Sequence, residues 1–261
     1  MVIYFMALES QKEEQQLKNR IKDLADKSFK QGIYTFSGFL GLSEQDVFWR
    51  MESELKYVSY KLWGGTESSE RKILRFGSEE DLGYEETYPC VCIHIEPVAI
   101  KYAESLSHRD YLGALMNLGI ERGTLGDIKT GEKDAYLFCL DTIAEYICTN
   151  LEKVRHTVVK CNMVTEIEDM PRDIPQSREV LLPSLRLDVC LAKVYNQSRS
   201  DILDQFQAGK VYVNGRLCEN NSRTLKEGDV INLRGFGKFI YSGVQYETKK
   251  GKISAEVKLF R

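Results

Sequence analysis

The sequence predicts an α+β protein in three parts. Three observations carry this. Residues 9–31 repeat apolar side chains at helical spacing within a Glu-, Lys- and Gln-rich background. Between residues 91 and 163, strand-like and helix-like segments alternate in the order β-α-β-β-α-β, the ferredoxin-like plan that also underlies the RRM. From Arg186 on, two short amphipathic helices precede a strand and an Asn-Gly turn. The expected domains are a mixed α/β unit at 1–76, a ferredoxin-like (RRM-like) domain at 77–167, a linker at 168–181 and a C-terminal domain at 182–261.

In the first part, Leu17, Ile21, Leu24 and Phe29 mark the helix, and Gly32 ends it. The opening MVIYFMALES lacks a basic leader and a small-residue cleavage site, so it is taken as lead-in to this helix. Ser43 suits an N-cap for a second helix through about Leu55. Residues 56–63 and 71–76 are expected as strands. In the middle domain, strands are expected at 91–95, 125–129, 135–140 and 157–163, with helices at 109–118 and 142–154. An RRM stacks bases on aromatics of its two central strands. Here the first offers none, and the third only Tyr136 and Phe138. Residues 168–183 hold three of the five prolines and mixed charge, which marks the linker.

In the last part, Leu187, Leu191 and Val194 form one helix face, broken at Asn196-Gln197. Ser198 or Ser200 caps the next helix, whose Ile202, Leu203 and Phe206 face inward before Gly209 ends it. Val211 and Val213 alternate as in a half-buried strand. Further strands are expected at 216–218, 230–233 and 239–241.

The charge is unevenly spread. Residues 1–177 carry 21 Lys and Arg against 30 Asp and Glu, whereas residues 178–261 carry 15 against 9, a net of +6. A basic domain on an acidic body points to a polyanionic partner. Arg186 and Arg199 each open a helix, and Lys210 precedes the following strand. A helix N-terminus offers free N–H groups and a positive dipole end, and an arginine fork beside it makes a phosphate clamp. The alternative is that these arginines pair with Asp188, Asp201 or Asp204.

The run Arg186-Leu187-Asp188, Ser198-Arg199-Ser200, Gly209-Lys210-Val211-Tyr212-Val213-Asn214-Gly215 and Gly228-Asp229 resembles the S4 RNA-binding domain. A narrower resemblance, to the bacterial YlmH family, rests on four further stretches. They are Arg234-Gly235-Phe236-Gly237-Lys238-Phe239, Gly38-Phe39-Leu40 with Glu44-Gln45, the run from His108 to Leu115, and Gly126-Asp127-Ile128. Lys238 departs from the arginine more usual there. The resemblance implies a cytoplasmic, monomeric protein that binds rRNA and tRNA on the large ribosomal subunit during rescue of stalled translation. It also explains a cell-division label through gene neighbourhood. The RNA-contact residues it implies are Arg186, Ser198, Arg199, Ser200, Lys210, Asn214, Arg216, Arg234 and Lys238, with His108 and Arg109 as a secondary contact.

Signs of catalysis are weak. Val98-Ala99-Ile100-Lys101 and His108-Arg109-Asp110 echo kinase motifs but lie seven residues apart, too close for two lobes. No glycine pair precedes the Lys-Ser/Thr of a P-loop. Three histidines leave little room for a triad or metal cluster. The seven cysteines include no CxxC pair and are expected as buried, reduced thiols. The expectation is a non-enzyme without cofactor or metal. An RNA-modifying enzyme targeted by an S4 domain, or a cell-division scaffold, are the alternatives.

Overall fold

A computed structural model describes residues 2–165, 167, 170–171, 175–249 and 251–260, with side chains from Gln11 onward. The chain divides into two compact units, Met1–Pro171 and Arg172–Arg261.

The first unit opens with α1 (Val2–Gln31), β1 (Thr35–Leu40), α2 (Leu42–Met51), β2 (Tyr60–Trp63), β3 (Lys72–Phe76) and the single turn α3 (Glu79–Leu82). The N-cap of α2 is Gly41, not Ser43, because Glu44 reaches back to accept the Gly41 N–H at 2.6 Å. The ferredoxin-like part follows: β4 (Cys90–Pro97), α4 (His108–Asn117), β5 (Leu125–Thr130), β6 (Ala135–Leu140), α5 (Asp141–Asn150), the short β7 (Lys153–Val154) and β8 (Thr157–Val164). Its strand order is β5-β6-β4-β8-β7, and every pair is antiparallel. The first four positions are the order that the β-α-β-β-α-β plan requires.

These elements stack in four layers. Ile21, Ala25, Phe48, Met51, Leu74 and Phe76 form a core between α1, α2 and one face of the sheet β1-β3-β2. Residues adjacent in a strand point to opposite faces. Phe39 and Ile73, next to Leu40 and Leu74, therefore point the other way and pack on Cys92, Tyr136, Phe138 and Met170. The far face of the larger sheet carries Ile93, Ile95, Leu137 and Cys139 and packs under α4 and α5. Ala135 to Cys139 are all buried, as expected of a strand covered on both faces.

The two sheets meet closely at Gly126. A methyl group there would sit 2.6 Å from the Phe39 ring and 3.0 Å from the Phe138 Cβ. Polar groups at the same seam are satisfied across it. Arg71 donates to the carbonyls of Phe39 at 2.8 Å and Leu125 at 2.9 Å, and Asp127 accepts the backbone N–H groups of Glu70 and Arg71. The stretches 38–40 and 126–128, far apart in sequence, thus come together at one contact.

The second unit runs β9 (Gln176–Leu182), α6 (Leu187–Tyr195), α7 (Arg199–Gln207), β10 (Val211–Val213), β11 (Arg216–Leu217), β12 (Val230–Leu233), β13 (Gly237–Glu247) and β14 (Ile253–Leu259). Its six-stranded sheet has the order β11-β10-β12-β13-β14-β9. Leu187, Leu191, Val194, Ile202 and Phe206 pack on this sheet beside Val211, Ile231, Leu233, Phe239 and Val257. Tyr212 is buried as well, so β10 is not the half-buried strand that its alternation predicts.

The expected linker at 168–181 is corrected in its second half. Gln176–Leu182 is a strand paired with β14 along its whole length. Pro175 and Pro183 lie just outside the pairing, so these prolines delimit a strand and do not mark a loop. Residues 168, 169 and 172–174 of that stretch lie outside the described residues.

Two glycine substitutions separate close packing from intrinsic helix preference. Gly126→Ala is expected to lower unfolding free energy by about 1–3 kcal/mol by overpacking. Gly113, within α4, has open space where a Cβ would go, and Gly113→Ala is expected to raise it by roughly 0.5–1 kcal/mol. Urea unfolding midpoints with unchanged slopes check both.

Candidate nucleic-acid interface

Arg186 is the N-cap residue of α6, with extended backbone angles, and is bridged to Thr224. The first N–H groups of α6 are already bonded. Leu187 donates to the Arg223 carbonyl at 2.9 Å, Asp188 donates to that of Asn221 at 3.0 Å, and Val189 donates to the Asp188 side chain at 2.9 Å. The expectation that this helix start offers free N–H groups to a phosphate is therefore corrected: the loop 220–224 occupies them. The start of α7 is capped by Ser198, whose Oγ accepts the Asp201 N–H at 3.1 Å, while Asp201 accepts the Ser198 N–H at 3.2 Å. Ser200 bonds to the Ser198 hydroxyl at 2.7 Å.

What the two helix starts do offer is guanidinium. Asp188 is wholly buried. Arg186 grips it with a two-point fork, Nε to Oδ1 and NH2 to Oδ2, both at 3.0 Å. Arg199 donates to the same Oδ2 at 2.8 Å. Burial opposes the charge on Asp188, but the bonds from Arg186 and Arg199 outweigh it and hold the carboxyl below the usual aspartate range. The arginines themselves are not buried: their side chains are 40% and 61% exposed. One negative charge points inward and two positive charges point outward. The pairing with Asp188 and the presentation of both arginines to solvent are thus parts of one arrangement.

The other predicted contacts fall into smaller groups. Lys210 and Arg234 are exposed and flank the β10–β12 pair. Asn214 occupies the left-handed region at φ 53°, followed by Gly215 at φ 76°, the backbone of a two-residue hairpin turn. Its side-chain amide is engaged at both ends, donating to Asp229 and accepting from the Val230 N–H, each at 2.8 Å. Asp229 is buried and also accepts from Arg223 at 3.1 Å and from the Lys226 N–H at 2.9 Å. Arg216 is exposed on β11, and Lys238 lies over the Phe260 ring at 4.8 Å.

In the first unit, His108 and Arg109 open α4 and are exposed. Desolvation lowers the His108 imidazole, and the cations Arg122, Arg109 and Lys129 push the same way against Asp127. Arg122 and Lys129 were not singled out from sequence, since only the fold brings them near His108. Asp110 accepts from the Ser107 hydroxyl at 2.7 Å and the Ser107 N–H at 2.8 Å, and these bonds hold it below its ordinary range. Tyr136 and Phe138, the aromatics available for base stacking, are buried under Phe39, Ile73 and Met170. Among the described residues no cluster of His, Cys, Asp and Glu could hold a metal ion, and no helix is long and apolar enough to cross a membrane.

A ferredoxin-like sheet without open aromatics, together with a two-helix and hairpin module carrying paired arginines, defines an S4-domain protein of two units. Family models agree: residues 86–168 match YlmH_RBD, "Putative RNA-binding domain in YlmH", and residues 185–231 match the S4 domain. The chain thus resembles the YlmH family in carrying both of these RNA-binding domain types in the same order. The ribosome-associated protein quality control protein P2 of Bacillus subtilis (strain 168) is 31% identical over 158 residues, covering 59% of this chain. The match spans 61% of that relative's own length. The solved structure of the cell division protein ylmH from Streptococcus pneumoniae is 17% identical with a TM-score of 0.48, covering 61% of this chain and 95% of that one.

Asp188→Asn tests the shared carboxylate. A folded-state pKa depressed below the ordinary aspartate range gives stability that is full above the unfolded pKa and lost as pH falls through the folded one. The variant is expected to be less stable at pH 7 by roughly 1–3 kcal/mol. It is also expected to show a flatter acid limb than the parent when chemical unfolding is followed from pH 6 to pH 2.

Proposed function

We propose that this chain is a non-catalytic RNA-binding protein that acts on the ribosome, holding rRNA and tRNA on the large subunit during rescue of stalled translation. It works in the cytoplasm as a monomer. The observation that carries this is the outward-facing pair Arg186 and Arg199, fixed on one buried carboxylate inside an S4 domain. A guanidinium matches a phosphate in two-point geometry, and one already held by a carboxylate loses less freedom on binding. The net of +6 over residues 178–261 supplies the longer-range attraction. The relative from Bacillus subtilis, named for ribosome-associated quality control, supports the ribosome as the place of action. Chemistry on RNA gets little support from the ionisable groups. Asp110 is fixed in a helix cap and held ionised, so it is poorly placed to give up a proton near neutral pH.

The test is a titration of the full chain with large-subunit rRNA at several salt concentrations. Release of counterions from about six phosphates lowers affinity roughly a thousandfold between 50 and 200 mM salt. Binding indifferent to salt would sink the proposal. Arg199→Ala is expected to weaken binding by at least about tenfold. The melting temperature is expected to fall by only about a few degrees, since Asp188 loses one of its four donors while Arg186 keeps its fork. Nucleoside mass spectrometry of RNA incubated with the protein is expected to show no change.

A further inference from the structure

Lys210 and Arg234 continue the register in which Val211 faces Leu233, and the Arg234 N–H donates to the Lys210 carbonyl at 3.0 Å. Two cations therefore stand opposite each other at the end of a strand pair, where like charges repel. Both are exposed, and neither has an acidic partner among the described residues. Among the described residues of this unit no acidic side chain offsets the repulsion, whereas a phosphate between them would.

Two residues further on, Phe236 is 42% exposed. The turn that carries it is firmly held. The Phe236 N–H donates to the Leu233 carbonyl at 2.9 Å, and the Tyr195 hydroxyl donates to the Gly237 carbonyl at 2.8 Å. Gly235 and Gly237, at φ 90° and 117°, provide backbone angles that side-chain-bearing residues rarely adopt. The Tyr195 ring lies 5.6 Å from that of Phe236, inclined at 56°, and supports it from one side. The result is a fixed, partly open aromatic ring beside two cations that lack counter-charges.

Phosphate-binding cations next to an open ring fit a nucleotide whose base is free to stack. Paired bases inside a duplex do not present their faces, whereas loops, bulges and single strands do. We propose that Phe236 stacks on an unpaired RNA base while Lys210 and Arg234 hold the adjoining phosphate. This rests on the RNA-binding function above and adds to it a class of ligand, an unpaired nucleotide, at a place distinct from the Arg186–Arg199 pair.

The test uses the full chain and two probes at 50 mM salt: a twelve-nucleotide oligo(A) and a twelve-base-pair RNA duplex, each followed by fluorescence anisotropy. Phe236→Ala is expected to weaken oligo(A) binding by about 5- to 100-fold, the worth of one stacked base, and to leave the duplex within about twofold. Phe236→Trp is expected to restore the oligo(A) affinity, which a merely structural role for the side chain would not predict. Lys210→Ala and Arg234→Ala are expected to weaken oligo(A) binding with unchanged melting temperatures. The stacking proposal is overturned if Phe236→Ala leaves oligo(A) binding intact or weakens both probes alike. If it fails in this way while Arg199→Ala still weakens the duplex, RNA binding stands and only the stacking is lost. If the unaltered protein binds neither probe, both fall.

Discussion

Asp188 has no contact with water, and a carboxylate in that position is tolerable only when its charge is matched and its lone pairs are used. Four donors meet that need: two from Arg186, one from Arg199 and the N–H of Val189. The consequences spread outward from this contact. The Asp188 N–H is bonded to the Asn221 carbonyl, so the same residue joins the start of α6 to the loop before β12. Arg199 opens α7, so the carboxylate also sets where that helix begins relative to α6. Surface arginines ordinarily sample many rotamers, and fixing one for a ligand has an entropic cost. Here much of that cost is met on folding, leaving the outer edges of two guanidiniums already placed.

The first unit reaches the opposite result with similar means. Its larger sheet has the strand order of an RRM, but its central aromatics lie under a second sheet. Burial of Phe39, Ile73, Tyr136 and Phe138 stabilises the four-layer stack and removes the surface on which an RRM stacks its bases. The seam is polar as well as apolar, with Arg71 and Asp127 satisfying backbone groups from both sheets. The cations Arg109, Arg122 and Lys129 lie near enough to His108 at the start of α4 to lower its imidazole.

Local signals were legible in the sequence where the structure depends on neighbours in the chain. The Asn214-Gly215 turn has the positive φ values its composition demands, and β12 runs over Val230–Leu233 as expected. Two strands with remote partners were not legible. β1, in which Phe39 and Leu40 are both buried on opposite faces, loses its alternation at its end and carries a bulge between Phe36 and Phe39. β9 exists because of β14, a partner more than seventy residues away, and its exposed Gln176-Ser177-Arg178-Glu179 start looks like linker. The same divide holds at the site. Arginines at helix starts can be read from capping patterns, but that one aspartate lies between them depends on burial. Phe236 belongs to a stretch whose resemblance was plain, yet its partial exposure beside Lys210 and Arg234 follows only from the register of β10 and β12.

The charge states bear directly on the proposed RNA-binding role. Acid–base catalysis works best when a donor and an acceptor ionise near the working pH. The Arg186–Asp188–Arg199 group does the reverse. Its aspartate is pushed down and Arg186 is pushed up, so a net of one positive charge persists across the whole neutral range. The His108 region moves no closer to a proton-transfer pair, since His108 and Asp110 both shift downward. Fixed charges of this kind neither gain nor lose protons when RNA arrives. The attraction they would supply to a polyanion is set by geometry and ionic strength, as the proposed role requires.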